Sequence, residues 1–144
     1  MIHSNTDNSM RLVFEAKSVN EAFARMVVAG FIMELDPTME EIDDIKTAVS
    51  EAVTNAIIHG EAKEVEMLCS YTGREMTVEI IDKGVGIENV QQAMEPFYTT
   101  KPEMERSGMG FAFMEAFMDG LEVWSKPGEG TKVTMKKVIG GCNE

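Results

Sequence analysis

Two polar side chains interrupt the apolar run SEAVTNAIIHG at residues 50–60. Glu51 and Asn55 stand four residues apart, so in a helix they lie one above the other on a single face. At about 100° per residue, Ile45, Ala48, Val49, Ala52 and Ala56 form a buried stripe beside them. Glu51 and Asn55 fall on its rim, where a pocket wall places polar groups. The amide oxygen of Asn55 is a neutral ligand for Mg²⁺, which keeps waters and binds substrate phosphates besides. A carboxylate one turn earlier, Glu51, can accept a proton from a hydroxyl or a water. The same spacing also arises by chance, as a solvated helix acid and a tolerated rim amide.

Two further stretches carry potential chemistry. Asp82-Lys83-Gly84-Val85-Gly86-Ile87 directly follows a strand-like run. A carboxylate at a strand end can accept a hydrogen bond from an exocyclic amino group. Gly84 and Gly86 let backbone approach a flat ligand closely. The plain alternative is a glycine turn. Arg106-Ser107-Gly108-Met109-Gly110-Phe111 opens a helix. Helix N-termini hold anions through free N–H groups and the dipole. Gly108 and Gly110 would clear space for phosphates, Lys101 and Arg106 would supply positive charge, and Ser107 would be the N-cap. The plain alternative is an ordinary Ser-Gly helix start.

The elements that must position these groups follow from pattern. Residues 10–16 alternate as a strand, with Leu12 and Phe14 on one face. SVNE at 18–21 reads as a capping box with Ser18 as N-cap. The helix it opens should run to about Leu35 with Val19, Phe23, Val27 and Phe31 on its apolar side. LDP at 35–37 stops it. TMEE at 38–41 is a second capping box, and its helix should run to His59 with Gly60 as C-cap. Residues 64–70 and 75–81 form a hairpin about YTGR. ENVQQAM gives a short helix, and residues 94–107 a long loop, of a length that in compact domains is usually functional or disordered. A helix over 108–118 and a hairpin of LEVWSK and TKVTMKK around PGEG complete the chain. Residues 1–9 and 139–144 are expected to fray. The order β-α-α-β-β-loop-α-β-β excludes a doubly wound parallel sheet. It predicts a single domain, an α/β two-layer sandwich with helices on one face of a mostly antiparallel, mixed sheet.

Composition narrows the function classes. A 144-residue chain with 44% hydrophobic and 26% charged residues suits one soluble domain. The formal net charge of −12 opposes direct nucleic-acid binding, which needs basic side chains; it would suit a basic protein partner, although charge alone is read first as solubility. The two cysteines, Cys69 and Cys142, fit neither a disulfide framework nor a zinc site. The N-terminus has no signal layout, and the longest apolar run, residues 26–33, is too short for a membrane span. A cytoplasmic protein is the expectation. His59, at a helix end, is read as structural rather than catalytic.

The three motifs in this order are specific together where each alone is weak. Glu-x-x-x-Asn on a helix, Asp-x-Gly-x-Gly after a strand, a long loop, then Ser-Gly-x-Gly opening a helix resembles the GHKL ATPase superfamily. NEAFAR, LDPTMEEIDDIKTAVSEAVTNAIIHG and PFYTTKPEMERSGMGFAFMEAFMD narrow the resemblance to its small bacterial anti-sigma serine kinases, those of sporulation among them. The resemblance implies an ATP-binding fold of the Bergerat type with ATP or ADP and Mg²⁺ as ligands. It implies inhibition of a sigma factor and phosphorylation of a serine on an anti-anti-sigma partner, by a homodimer. Carried over residue by residue, it makes Asn55 the Mg²⁺ ligand and Glu51 the base. Asp82 recognises adenine with help from Thr131, and Gly84 and Gly86 shape the base pocket. Gly108 and Gly110 border the triphosphate, which Arg106 reaches from the end of a lid. Arg25 lies on the partner-binding surface. The connection after His59-Gly60 is shorter than the Asn/Asp-rich turn of many members. Other readings stay open: a nucleotide-gated sigma-binding module without kinase activity, a detached histidine-kinase-type catalytic domain, and a domain with no ligand.

Overall fold

The computed structural model describes residues 5–95 and 110–140. Five strands form one sheet in the order β1-β2-β3-β5-β4: β1 (Asn8–Glu15), β2 (Glu64–Thr72), β3 (Glu75–Asp82), β4 (Gly120–Lys126) and β5 (Gly130–Val138). Every pairing is antiparallel, so the sheet is not mixed. The helices are α1 (Val19–Phe31), α2 (Met39–Asn55), the short α3 (Val90–Ala93) and α4 (Gly110–Phe117). The inner face of the sheet is apolar in register: Leu12, Met67, Ile80, Val133 and Val123 make one row across all five strands. Helix α2 lies over it with Ile45, Ala48, Val49, Ala52 and Val53 buried, the predicted stripe extended by one residue. Among the described residues no helix is long and apolar enough to cross a membrane.

The two hairpins form as predicted. Thr72 pairs with Glu75 across a two-residue loop whose first member, Gly73, has φ 58°, as type II′ turns have. The capping box at α2 is complete: Thr38 Oγ1 accepts from Glu41 N at 3.1 Å, and Thr38 N donates to Glu41 Oε1 at 2.9 Å.

At α1 the structure corrects the sequence in two respects. Ser18 makes no side-chain cap bond, because its backbone (φ −55°, ψ −33°) is already helical and Glu21 N donates to its carbonyl at 3.1 Å. A capping hydroxyl needs the extended backbone that Thr38 has, at ψ 163°. The buried face is only partly the one expected: Val27 and Phe31 pack partly buried against the core, but Val19 and Phe23 do not. Ala24 and Val28 face the core, followed by Ile32 and Leu35 of a short 3₁₀ turn, whereas Val19 and Phe23 are 74% and 50% exposed. Two apolar stripes lie side by side on this helix. The one with small residues packs inward because it lets α1 approach α2 closely.

The chain ends are tied in further than expected. Asn8 and Ser9 pair within β1. Ile139 is buried in the core, and Gly140 N donates to Glu41 Oε2 at 2.9 Å. The expected fraying of 8–9 and 139–140 is therefore wrong: a buried isoleucine and a carboxylate hold the last turn down.

The two serine and threonine N-caps make a paired test. Thr38→Ala should lower stability by about 1 kcal/mol in urea unfolding. Ser18→Ala should fall within about 0.5 kcal/mol of wild type. Equal losses would contradict the geometry.

Candidate active site

One row of the sheet's inner face departs from the apolar pattern. Phe14 and Val65 begin it, but Asp82, Thr131 and Ser125 continue it on β3, β5 and β4. This polar run lies at the end of the sheet where α2 finishes. A cavity of about 410 Å³ opens there, within the range of small-ligand sites. Its walls include Ala52, Asn55 and Ala56 of the α2 side, Gly110 and Phe111 of α4, and Ile80 and Val133 from the sheet. Asp82 and Thr131 also line it and are 5% and 9% exposed.

The end of α2 is unusual. After Asn55 the backbone widens into one π-helical turn, Ala56–Gly60. Such turns often mark functional sites because they re-aim side chains. His59 lies on this turn and lines the cavity. Helix α2 therefore ends before the expected His59. The left-handed residue is Glu61 (φ 59°), not Gly60. Gly60 serves packing instead: a Cβ there would stand 2.7 Å from Asp82 Oδ1.

Gly84 and Gly86 make the close approaches that their positions suggested, but to backbone. A Cβ on Gly84 would meet the Gly60 carbonyl oxygen at 1.6 Å. Val85 N donates to that same oxygen at 2.8 Å. Gly86, at φ 78°, would meet the Lys126 carbonyl oxygen at 2.1 Å, and Gly128 N donates to Val85 O at 2.8 Å. The Asp-x-Gly-x-Gly loop is thus wedged between the end of α2 and the β4–β5 turn. Gly86 lines the cavity as well.

Asp82 Oδ1 accepts from Gly84 N at 3.0 Å. Burial pushes the Asp82 carboxyl above its ordinary value, and the Gly84 bond offsets only part of that. The buried carboxylate lines the cavity and has the capacity to accept further hydrogen bonds from N–H groups there. Glu51 and Asn55 lie beside the start of α4, a meeting that their spacing did not show. A Cβ on Gly110 would lie 3.0 Å from Asn55 Nδ2 and 3.4 Å from Glu51 Oε1. A larger residue there would press on the Asn55 amide.

The donor set fits a phosphate-bound Mg²⁺. Asn55 offers one neutral oxygen, and among the described residues no three Asp, Glu, His or Cys side chains converge. A hard cation there would take its other ligands from phosphate and water, which is the habit of Mg²⁺.

Arg25 stands apart from the cavity, on α1, paired with Glu21 at 2.7 Å. Lys101, Arg106, Ser107 and Gly108 lie outside the described residues, as does most of the 94–107 loop. Sequence reasoning did not single out Gly130 or Ser125, and it read Gly60 only as a C-cap. A Cβ on Gly130 (φ 107°) would meet Asp82 O at 2.1 Å. The register of the last hairpin, with Ser125 opposite Thr131, was the available signal for Ser125.

Comparison with known proteins agrees with this geometry. The model of the histidine kinase-like ATPase domain family matches residues 14–137. An anti-sigma F factor of Clostridium acetobutylicum is 59% identical over 134 residues, 91% of this chain and 94% of that protein. One from Clostridium perfringens is 60% identical over 135 residues, covering 91% and 96%. One from a Thermoanaerobacter species is 56% identical over 136 residues, covering 92% and 95%. Among solved structures, the RsbU and RsbW domains of a Mycobacterium tuberculosis protein superpose with a TM-score of 0.68 at 19% identity. That match covers 92% of this chain but 32% of the other, and it supports the fold alone. With a cavity floored by Asp82 and Thr131 and walled by Asn55, on a GHKL α/β sandwich, the chain belongs to the anti-sigma F factors, within the histidine kinase-like ATPase domain family.

Proposed function

We propose that this protein binds a sporulation sigma factor and inhibits it, and that it transfers the γ-phosphoryl group of Mg-ATP to a serine of an anti-anti-sigma protein. The observation that carries the catalytic half is the meeting of Glu51, Asn55 and Gly110 beside the cavity that holds Asp82. A base, a cation ligand and a helix start adjoin a pocket for a flat base. Phosphoryl transfer asks mainly for such positioning and for charge stabilisation.

In the proposed reaction the acceptor serine oxygen bonds to the γ-phosphorus as the bond from phosphorus to the β–γ bridging oxygen breaks. The electrons of that bond leave with ADP. The serine proton passes to the Glu51 carboxylate. Mg²⁺, when bound, neutralises charge on the phosphate oxygens. Asn55 would hold that cation, and Asp82 with Thr131 would hold the adenine edge. The α4 N-terminus at Gly110 faces the phosphate end.

The inhibitory half is supported by α1. Val19, Phe23 and Met26 are exposed on it, at helical spacing of one another, and Met33 is exposed on the 3₁₀ turn that follows. Arg25, 39% exposed in its side chain, lies on the same helix. An apolar stripe with a cation beside it has the composition of a protein-docking face.

Three outcomes test these assignments. With γ-labelled Mg-ATP and the candidate acceptor, wild type should place acid-stable label on a serine. Glu51→Gln should bind ATP and transfer at least about 100-fold more slowly, and Asn55→Ala should lose Mg-dependent binding in calorimetry. Label on histidine would favour a histidine-kinase activity, and normal turnover by Glu51→Gln would reassign the base.

ATP affinity should also weaken as pH falls, because a protonated Asp82 loses the charge that strengthens its bond from an amino group and turns one oxygen into a donor. The raised Asp82 pKa moves that loss to higher pH than for an ordinary aspartate. A titration of Kd against pH on the acid side of neutrality checks it, and a flat profile would remove Asp82 from base recognition.

Arg25→Glu should weaken sigma-factor binding by about tenfold or more in a pull-down titration while ATP affinity holds. Collapse of ATP affinity would make Arg25 structural.

A further inference from the structure

Ser125 is a half-buried hydroxyl on β4 that the proposed chemistry leaves without a task. It has three polar neighbours. Ile87 N donates to Ser125 Oγ at 2.7 Å. Ser125 Oγ donates to the Gly130 carbonyl oxygen at 2.8 Å. Thr131 Oγ1 lies 2.8 Å from Ser125 Oγ.

A hydroxyl has one proton and two lone pairs. The Gly130 carbonyl can only accept, and the Ile87 amide can only donate. The Ser125 proton therefore satisfies Gly130, one lone pair is taken by Ile87, and the remaining lone pair receives the Thr131 proton. This is the single arrangement in which all three contacts are hydrogen bonds. Its consequence falls on Thr131. With its proton turned toward Ser125, Thr131 shows the cavity lone pairs only. Asp82, beside it across the β3–β5 register, is likewise an acceptor when ionised.

We infer that Ser125 is a positioning residue that sets the polarity of the nucleotide pocket: it fixes Thr131 as an acceptor, so that the Asp82–Thr131 wall selects a purine with a 6-amino group over one with a 6-oxo group. The same hydroxyl pins the backbone of Ile87, which lines the cavity on the side of the glycine loop. A free threonine rotor could donate to a 6-oxo group as readily as accept from an amine. Held by Ser125, it cannot donate without breaking a bond. In the pose in which an amino group would bridge Asp82 and Thr131, a 6-oxo group sets a third acceptor against two, and its N1–H reaches either of them only if the base shifts from that pose.

The inference rests on the reading of the cavity as a nucleotide site, and the test separates the two. Binding of Mg-ATP and Mg-ITP is measured by calorimetry for wild type, Ser125→Ala and Ser125→Thr, with thermal unfolding of each protein. Wild type should prefer ATP. Ser125→Ala should lose about tenfold in ATP affinity and lower the ATP-to-ITP preference by a similar factor. Ser125→Thr, which keeps a hydroxyl, should restore the preference. If Ser125→Ala does not fold, Ser125→Cys supplies a thiol of similar size and weaker donor strength, and should lower the preference in the same direction. A preference unchanged in Ser125→Ala, or in the cysteine variant in its place, overturns the inference while the nucleotide site stands. So does a wild type that binds ATP and ITP equally. A wild type that binds neither overturns the site and the inference together.

Discussion

The site depends on a backbone contact that only glycine permits. Gly60 ends the widened turn of α2 and Gly84 begins the loop after β3, and they meet through the hydrogen bond from Val85 N to Gly60 O at 2.8 Å. A Cβ at either position would occupy space already filled, by the Asp82 carboxylate for Gly60 and by a carbonyl oxygen for Gly84. This contact brings the helix that carries Glu51 and Asn55 up against the strand end that carries Asp82. Residues far apart in sequence become opposite walls of one cavity because two chain segments approach closer than side chains allow.

Burial of Asp82 follows from the same contact. A carboxylate pressed against Gly60 loses water there and accepts a hydrogen bond from Gly84 N in return. Its raised pKa records that deficit. Such a group is expensive to leave half-satisfied, and a ligand amine is a natural completion. By contrast Cys69, also buried in the sheet, is surrounded by apolar side chains and pushed up to about 12, so it behaves as a small hydrophobe and not a nucleophile.

Much of this was readable in the sequence, because period and turn chemistry act locally. The α2 stripe, both hairpins and the Thr38 capping box each depend on neighbours within a few residues. What could not be read depended on three-dimensional packing. The face of α1 was decided by which apolar stripe could approach α2, and Ala24 and Val28 won over the larger Phe23. The burial of Ile139 required Glu41 and Arg74 to be waiting at the other end of the sheet. The π-helical turn has no compositional signature at all. At the site, Glu51, Asn55, Asp82 and Gly110 were singled out from type and order and Thr131 from the resemblance, and the structure brings them to one cavity or its edge. Ser125 and Gly60 act by touching those residues, and contact across strands is not visible in linear spacing.

The last element of the site is held from both ends. Gly110 rests on Asn55 and Glu51 at the start of α4. At its other end Lys137 Nζ donates to Phe117 O at 2.8 Å and pairs with Asp44 of α2 at 3.9 Å. Asp119 then joins β5 twice, its N–H donating to Lys136 O at 2.8 Å and its carboxylate accepting from Val138 N at 2.7 Å. A cation at a helix C-terminus opposes the dipole's negative end, so Lys137 stabilises α4 while fixing its direction. Its N-terminus is thereby aimed at the cavity by contacts that lie outside it. Close packing of α4 on α2 leaves the start of α4 beside Asn55 and Glu51, with little room between them for a side chain at Gly110.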